Sequence, residues 1–279
     1  MTMDNKLHLA PLTNPQNVLD IATGTGIWAI EFGSYTPLKR YILLITSLST
    51  AIPISQRPWH RSKSYSATLV HPLPISSTLL TFSSVPPNCR FEIDDAEEDW
   101  LYSRPFDYIH GRALVSCFKD PPSVIAKIFS NLVPGGYFEF QDPIMPLRSV
   151  DNTLAGTYLD EFQTSCMAAA EKLGRPWTNG KNYGRWMTEA GFEDVVEKSY
   201  YWATNQWVRG KTQKLQALWL QENLQDGLPA WGLSTLSRGF GWGRERIEVL
   251  LSNARNDLRD PSIHAYAECY VVYGRKPVS

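Results

Sequence analysis

The sequence predicts an α/β fold built on a doubly wound, mostly parallel sheet, and two observations support this. The stretch NVLDIATGTGIWAIEFG, residues 17–33, places a short apolar strand before a glycine turn and a helix, which is how a βαβ unit opens. Two further strands, FDYIH (106–110) and GYFEFQ (136–141), are separated by a helix near residues 122–132. Strand, helix and strand at this spacing indicate a parallel sheet.

The second half of the chain alternates helical and extended patterns. Between Leu154 and Leu173, apolar residues recur at helical spacing, and Gly174 closes the segment. Further helices are predicted over 183–190, 212–225 and 244–258, and further strands over 195–202 and 266–274. We therefore expect one domain, residues 1–279, with helical insertions on the substrate side over 143–190 and 203–262.

Residues 37–84 do not fit this alternation. No acidic residue occurs between Glu31 and Glu92, while Ser, Thr, Pro and Leu are abundant. No regular amphipathic helix can be drawn there, and the composition predicts an atypical, loop-rich insertion or a poorly ordered stretch. Translated non-coding sequence is a third explanation.

Composition excludes several classes of partner. The 27 Lys and Arg residues nearly balance 28 Asp and Glu, so no bulk charge draws the chain to nucleic acid or to an anionic membrane. The four cysteines lie far apart and outside metal-ligand spacings, which predicts reduced, buried thiols and no metal site. The N-terminus lacks a long apolar segment and no run is long enough to span a bilayer, so we expect a soluble, cytoplasmic protein.

The glycine turn is the first candidate ligand site. Gly24 and Gly26 lie in GTGIWA, which matches the dinucleotide pattern GxGxxG/A. Such glycines let the backbone approach a ligand, and the helix that starts near Gly26 directs its free N–H groups at that ligand. The alternative is a turn needed only for tight packing of strand against helix. Nicotinamide, flavin and S-adenosylmethionine (SAM) sites all use turns of this kind.

The neighbouring residues favour SAM among these cofactors. A nicotinamide site needs an acid roughly 20 residues after the turn, where the acid-free stretch lies. A SAM site shares that need, but Asp20 precedes the turn and suits the positively charged amino-acid end of SAM, directly or through water. A pyrophosphate would be repelled by this carboxylate. A nicotinamide oxidoreductase is therefore the weaker alternative.

Five segments, in this order and spacing, resemble the motifs of class I SAM-dependent methyltransferases: VLDIATGTG, RFEIDDAEEDW, FDYIHGRAL, LVPGGYFEFQD and EAGFEDV. More narrowly, the segments that begin LHLAPL and VPPNC resemble the fungal LaeA-like methyltransferases of secondary metabolism. The likeness covers residues 6–36, 85–200 and the final YVVYGRKP. It implies the Rossmann-like class I methyltransferase fold and methyl transfer to a small molecule of fungal secondary metabolism, with an aromatic acceptor as one option.

The resemblance also implies roles for matching positions. The cofactor loop would consist of Asp20, Ala22, Thr23, Gly24 and Gly26. Asp95 with Ala96 would place an acid against the adenine amino group, and His110, Gly111 and Arg112 would lie beside the sulfonium and the substrate.

Catalysis is predicted at the ends of two neighbouring strands. His110 is the candidate base, because its unperturbed pKa lies near neutrality, and Arg112 would orient an anionic substrate. Asp142 occupies the equivalent end of the next strand. The alternative for His110 is a satisfied polar residue at a strand end, and for Asp95 a capping or solvated acid of the run DDAEED.

Three departures from the family pattern weaken the expected SAM affinity. Ala22 replaces the first glycine of DxGxGxG, which is a mild change. Ser47 stands where the family places a ribose-binding acid, and a serine lacks a carboxylate's charge-assisted bond. The family's helical N-terminal extension has no counterpart before Asn17. The alternative function is thus a catalytically weak or inactive protein that regulates the same pathway, with a protein partner and a nuclear location as options.

An aromatic-rich segment leaves one question open. Its members are Trp202, Trp207, Trp219, Trp231, Phe240 and Trp242. They are interpreted either as a pocket for a flat aromatic or prenylated acceptor or, as is commoner for such residues, as core.

Overall fold

The strands of the computed structural model, which describes residues 3, 6–24, 26–35, 40–46 and 87–278, form a seven-stranded sheet. They are β1 (Asn17–Ile21), β2 (Arg40–Thr46), β3 (Cys89–Asp94), β4 (Phe106–Arg112), β5 (Leu132–Ser149), β6 (Glu193–Ala203) and β7 (Ala265–Arg275). The sheet order is β3-β2-β1-β4-β5-β7-β6. Strands β1 to β5 are parallel, whereas β7 runs antiparallel to both neighbours. The prediction of a doubly wound, mostly parallel sheet is confirmed.

The helices begin and end at recognisable signals. They are α1 (Ile27–Tyr35), α2 (Pro121–Ser130), α3 (Tyr158–Lys172), α4 (Tyr183–Glu189), α5 (Lys211–Phe240) and α6 (Arg244–Arg259), with a 3-10 turn over Asn179–Asn182. The Asp120 side chain accepts from the Ser123 N–H at the start of α2, and Thr157 caps α3 in the same way. Gly241, in the left-handed conformation, ends α5.

Helices cover both faces of the sheet because the side chains of each strand alternate between the two faces. Helix α1 packs Trp28 and Phe32 against Val18 and Tyr108 on one face. On the other face, α2 and α4 bury the main core, which includes the inward residues of β1, β4 and β5. Between β1 and β4 the strand order reverses, and in open α/β sheets ligands bind at the carboxyl ends of the strands at such a point.

A separate helical layer lies beyond this sheet. Helices α3, α5 and α6 pack on one another and on the distal parts of β5 and β7 around a second apolar cluster. This layer falls within the predicted helical insertions. Residues 143–149, however, continue β5, and α4 packs on the sheet, so the span 143–190 is only partly an insertion.

The two largest differences from the predicted element boundaries lie at the ends of β5 and α5. Strand β5 does not end at residue 141 but continues to Ser149, because β7 pairs with it as far as Ala265. Helix α5 does not end at residue 225 but runs through Pro229, since buried Leu228 and Leu236 pack into the helical layer. That packing outweighs the roughly 3 kcal/mol that an interior proline costs. Residues 40–46 of the stretch predicted to be loop-rich form β2, and residues 47–84 lie outside the described residues.

Gly239 lies where α5 and α3 approach each other closely enough to exclude a side chain at this position. A Cβ at this position would lie 2.7 Å from the Ala169 Cβ and 2.9 Å from the Ala169 carbonyl oxygen. We predict that Gly239→Ala lowers the free energy of unfolding by about 1–3 kcal/mol, despite the gain of about 1 kcal/mol in helix propensity. Urea unfolding measures this. Gly227→Ala in the same helix, where the Cβ would meet only the Trp231 ring at 3.3 Å, is the control; an equal loss there would contradict the packing explanation.

Candidate functional site

A glycine loop follows β1 at the point where the strand order reverses. Ala22, Gly24 and Gly26 all have positive φ, at 55°, 58° and 75°. The Thr23 carbonyl accepts from the Gly26 N–H, and the Gly26 carbonyl accepts from the Ile30 N–H, both at 2.9 Å. Helix α1 therefore starts directly from the loop, and the positive end of its dipole lies at the carboxyl edge of the sheet.

The two glycines of the loop have different roles. A Cβ on Gly26 would lie 2.7 Å from Cε1 of Phe91 on β3, so this glycine is required for packing. A Cβ on Gly24 would meet none of the described residues within 4 Å. The sequence left two explanations for these glycines, and each applies to one of them. Gly26 allows tight packing of the loop against β3, whereas Gly24 leaves space for a ligand.

Two neighbours of Gly24 bear on ligand binding. Ala22 has a left-handed backbone conformation, which costs a residue other than glycine roughly 1–2 kcal/mol. Alanine in place of the first glycine of DxGxGxG therefore strains the backbone, in addition to adding a methyl group to the loop. The Thr23 Oγ1 is buried and has no hydrogen-bond partner within the described part of the chain. An unpaired buried hydroxyl beside open space suits a ligand that carries hydrogen-bonding groups, and the amino-acid end of SAM is such a ligand.

Asp95 and Ala96 follow β3 at the same edge of the sheet. Asp95 is half-buried, and its Oδ1 accepts from the Glu97 N–H at 2.9 Å, so it holds a tight turn. Ala96 is fully buried in the main core. The turn-capping role is therefore observed, and the contact of Asp95 with adenine stays a prediction. Ser47, the candidate in place of the ribose acid, lies outside the described residues.

Asp20 and His110 lie beneath the glycine loop. They occupy paired positions on β1 and β4, and the His110 Nδ1–H donates to the Asp20 carboxylate at 2.7 Å. The Trp28 ring stacks on the imidazole with 3.5 Å between centroids. Both side chains are buried, and the His110 Nε2 has no partner among the described residues. Cofactor contact by Asp20 and base catalysis by His110 stay predictions; the observed role of the pair is to support the loop from below.

Glu139 is a site residue that the sequence prediction missed. It is fully buried on β5, beside His110 in register, and its carboxylate accepts from the N–H groups of Leu9 and Ala10 and from Gln141 Nε2. The chain before β1 is thereby fastened over this face, where the Leu7 carbonyl accepts from the Trp28 indole at 2.8 Å. An acid in the middle of a central parallel strand, both faces of which are buried, is the signal that could have found it.

Arg112 and Asp142 differ in their surroundings. Arg112 is exposed at the end of β4. Asp142 is buried, and its Oδ1 accepts from the Leu114 N–H at 2.6 Å. Burial raises the pKa of the Asp142 carboxyl well above its usual range, although the Leu114 and Ala113 N–H groups oppose this shift. Asp142 faces a cleft between the chain that follows β4 and residues 176–183.

The four cysteines are free, and all but the half-buried Cys117 are buried. Burial raises the pKa of the Cys89 thiol to about 11 and those of Cys117, Cys166 and Cys269 to about 12. Such thiols remain protonated at neutral pH and are poor nucleophiles. Within the described ranges, no cluster of His, Cys, Asp and Glu could hold a metal ion, and no helix is long and apolar enough to cross a membrane.

The aromatic-rich segment does not form one pocket. Trp219 is 65% exposed on α5, and the Trp207 indole is bound to the Ala265 carbonyl. Trp242 lies under the Arg246 guanidinium, at 3.5 Å. Only Trp231 approaches the cleft, through an edge contact with Trp177. The interpretation of the whole segment as an acceptor pocket is therefore wrong, because its residues are spread along a 30-residue helix and its flanks.

The raised pKa of Asp142 predicts a pH-dependent stability. A carboxyl with a raised folded-state pKa contributes fully below the unfolded value of about 3.9, and the contribution is lost as the pH rises through the folded pKa. We predict that Asp142→Asn, whose amide oxygen can still accept from Leu114, removes this loss, so that wild type falls in stability relative to the variant as the pH increases from 4. Urea unfolding from about pH 4 to 8 measures the difference. Parallel curves would contradict the assignment.

Comparisons with known proteins agree on the family. A methyltransferase domain model matches residues 2–197. The Emericella nidulans protein tdiE, which is named a probable methyltransferase, is 32% identical over 100% of this chain and 78% of its own length. The secondary metabolism regulator laeA of Monascus pilosus is 27% identical, over 95% of this chain and 65% of its own length.

The solved structures share the fold. Haemonchus contortus phosphoethanolamine N-methyltransferase 2, solved in complex with SAM, has a TM-score of 0.51 and 15% identity; the alignment covers 96% of this chain and half of that one. The strand order β3-β2-β1-β4-β5-β7-β6 and the open glycine loop of this chain agree with these matches. The chain belongs to the class I SAM-dependent methyltransferases, in the fungal LaeA-like group.

Proposed function

We propose that this methyltransferase transfers the methyl group of SAM to a small-molecule intermediate of fungal secondary metabolism. The observation that carries the proposal is the loop at Gly24, which has an open side and an unpaired hydroxyl where the strand order reverses. The relatives support the setting: tdiE is named a methyltransferase and laeA a regulator of secondary metabolism, both in fungi.

When bound, SAM supplies an electrophilic methyl carbon and a neutral thioether leaving group, so transfer is an in-line displacement. The chain contributes mainly by aligning the acceptor atom with the methyl carbon and the sulfur. Such proximity and orientation can lower the activation barrier by about 7–11 kcal/mol. Residues 22–24 would hold the amino-acid end of the donor with backbone N–H groups and the Thr23 hydroxyl. Asp95 would accept from the adenine amino group, and the buried Ala96 keeps that turn close to the sheet.

An acceptor hydroxyl or amine must lose its proton as it bonds to the methyl carbon, and His110 is the candidate base. Asp20 fixes the imidazole with the hydrogen on Nδ1, which leaves the Nε2 lone pair free in the neutral ring. The ring has no solvent-accessible surface. It can therefore reach an acceptor only when Trp28 or the segment that precedes β1 moves aside.

A second function is favoured by the same burial. With His110 covered and Ala22 in a left-handed conformation, the chain would bind SAM weakly and act as a regulator, the role named for laeA. A titration with SAM and S-adenosylhomocysteine, followed by a turnover assay, separates the two. Binding with turnover supports the enzyme, and binding without turnover supports the regulator.

Gly24→Asn tests the loop. Asn tolerates a positive φ, so the variant retains the backbone while its side chain fills the open space. We predict that SAM affinity falls at least about tenfold by calorimetric titration with an unchanged melting temperature. Gly174→Asn is the matched control, since Gly174 also has positive φ and open surroundings, at the end of α3. Equal SAM affinity of Gly24→Asn and wild type would overturn the proposed cofactor loop.

His110→Asn tests the base. The Asn amide can still donate to Asp20 but cannot take a proton at neutral pH, so we predict that turnover falls by about 10²–10⁴ while SAM affinity stays near wild type. Turnover is followed as S-adenosylhomocysteine release with metabolites extracted from a fungal deletion strain. His110→Ala should also lose about 3–5 kcal/mol of stability, because Asp20 is left buried and unpaired. A parallel loss of affinity and turnover in His110→Asn would show a purely structural residue.

A further inference from the structure

The free nitrogen of His110 is directed toward β5. The two nitrogens of an imidazole point in nearly opposite directions, and Nδ1 is bound to Asp20 on β1, so Nε2 is directed away from β1. On that side lies β5, where Glu139 occupies the position paired with His110. His110 has no exposed surface, so this side of the ring is covered too.

The segment Leu7–Ala10 is bound to Glu139 at this point. Two consecutive backbone N–H groups, those of Leu9 and Ala10, donate to Oε2 of the carboxylate at 2.8 and 2.7 Å. Hydrogen bonds to a charged group are among the stronger ones in proteins. Glu139 is fully buried and is therefore the main polar anchor of the segment.

The other end of the segment is bound to the ring that covers His110. The Leu7 carbonyl accepts from the Trp28 indole at 2.8 Å and from Gln141 Nε2 at 3.1 Å. Gln141 Nε2 also donates to Glu139 Oε1 at 2.7 Å, which links the two anchors. The segment therefore runs from Glu139 to the edge of the Trp28 ring, and it closes the side toward which Nε2 is directed.

The segment is held by few bonds. Residues 6–16 form neither a helix nor a strand. Their backbone N–H groups make only local bonds to backbone carbonyls, from Lys6 to Met3 and from Leu12 to Ala10, and among the described residues none of these bonds reaches the sheet. Stretches of this kind open locally at a small fraction of the free energy of global unfolding.

Trp28, the second cover of His110, is fixed more firmly. It is the second residue of α1, and its ring stacks on Phe32 with 5.0 Å between centroids. It belongs to the apolar cluster that packs α1 on the sheet. A movement of Trp28 would displace the start of α1 and with it the glycine loop. Of the two covers, the segment is the one that can open while the cofactor loop stays in place.

We propose that the segment Leu7–Ala10 is a gate over His110 and that Glu139 is the positioning residue that holds it shut. Glu139 acts through the segment that it binds. When the gate opens, water replaces the carboxylate as partner of the two N–H groups, so opening leaves no polar group unpaired. The inference rests on the proposed function, because it names what controls access to the candidate base of that reaction.

Glu139→Met tests the gate. Methionine has a similar length but no carboxylate, so a closed segment would leave the N–H groups of Leu9 and Ala10 buried and unpaired, which favours the open state. We expect these two amides to exchange hydrogen at least about tenfold faster than in wild type. We also expect diethyl pyrocarbonate at pH 7 to modify His110 at least about tenfold faster, as measured by peptide mass spectrometry. His264, whose side chain is 36% exposed, is the internal reference for labelling.

Two further variants change the same anchors. Glu139→Gln keeps an oxygen that can accept from Leu9 and Ala10, so the imidazole should stay as protected as in wild type. Gln141→Met removes the bonds from Nε2 to the Leu7 carbonyl and to Glu139. It should also accelerate labelling, and it takes the place of Glu139→Met should that variant not fold.

Asp107→Leu is the matched control for general loosening. The Asp107 carboxylate accepts from the N–H groups of Gln16 and Asn17, both at 2.7 Å, at the far end of the same stretch. Its loss should leave His110 protected. Equal acceleration of His110 labelling in Asp107→Leu and Glu139→Met would show general loosening and overturn the gate.

The remaining outcomes separate the gate from the proposed function. Equal labelling of His110 in wild type and a folded Glu139→Met variant overturns the gate, as does labelling of wild-type His110 at the rate of His264. Neither measurement uses SAM or turnover. Accelerated labelling in a protein that does not bind SAM therefore supports the gate and counts against the proposed methyl transfer alone, whereas SAM turnover with a failed gate leaves the methyl transfer intact.

Discussion

A buried row of polar side chains constrains the structure around the cofactor loop. Asp20, His110 and Glu139 occupy successive paired positions on β1, β4 and β5 and point to the same face. An unsatisfied buried polar group costs about 1–3 kcal/mol, so the hydrogen bond between His110 and Asp20 favours the observed register of β1 and β4. On β5, the Glu139 carboxylate is satisfied by Gln141 and by the chain before β1. The same bonds hold the chain before β1 against the sheet. The shape of the loop above is therefore set from below.

Local signals predicted the fold well where sequence pattern and tertiary packing agree. The strand predicted at the start of residues 17–33 is β1, Asn17–Ile21, because an apolar run meets a glycine turn there. Where they disagree, packing determined the outcome. The strand predicted to end at residue 141 continues because β5 pairs with β7, and the helix predicted to end at residue 225 continues because α5 packs into the helical layer. Such long-range partners leave no mark on the local pattern.

The candidate site was predictable in its residue types more than in its contacts. Motif spacing placed Gly24, Asp95 and His110 at the carboxyl edge of the sheet, where the structure has them. It could not indicate that His110 would be enclosed by Asp20 and Trp28, because that depends on the register between strands 90 residues apart. Asp142 was predicted to lie at the end of a strand, which is wrong, because β5 continues to Ser149 and Asp142 pairs with Tyr270 within it. Its cleft is completed by residues 176–183, which no motif links to it.

The position of β7 has a consequence for biosynthesis. It lies between β5 and β6, although among the described strands it comes last in sequence. Until residues 265–275 have left the ribosome, β5 and β6 each expose an edge of unpaired N–H and C=O groups, which is a template for aggregation. A chain that stops upstream of Ala265 therefore lacks the strand that pairs with both edges, and we expect it to aggregate rather than to fold as a shortened enzyme.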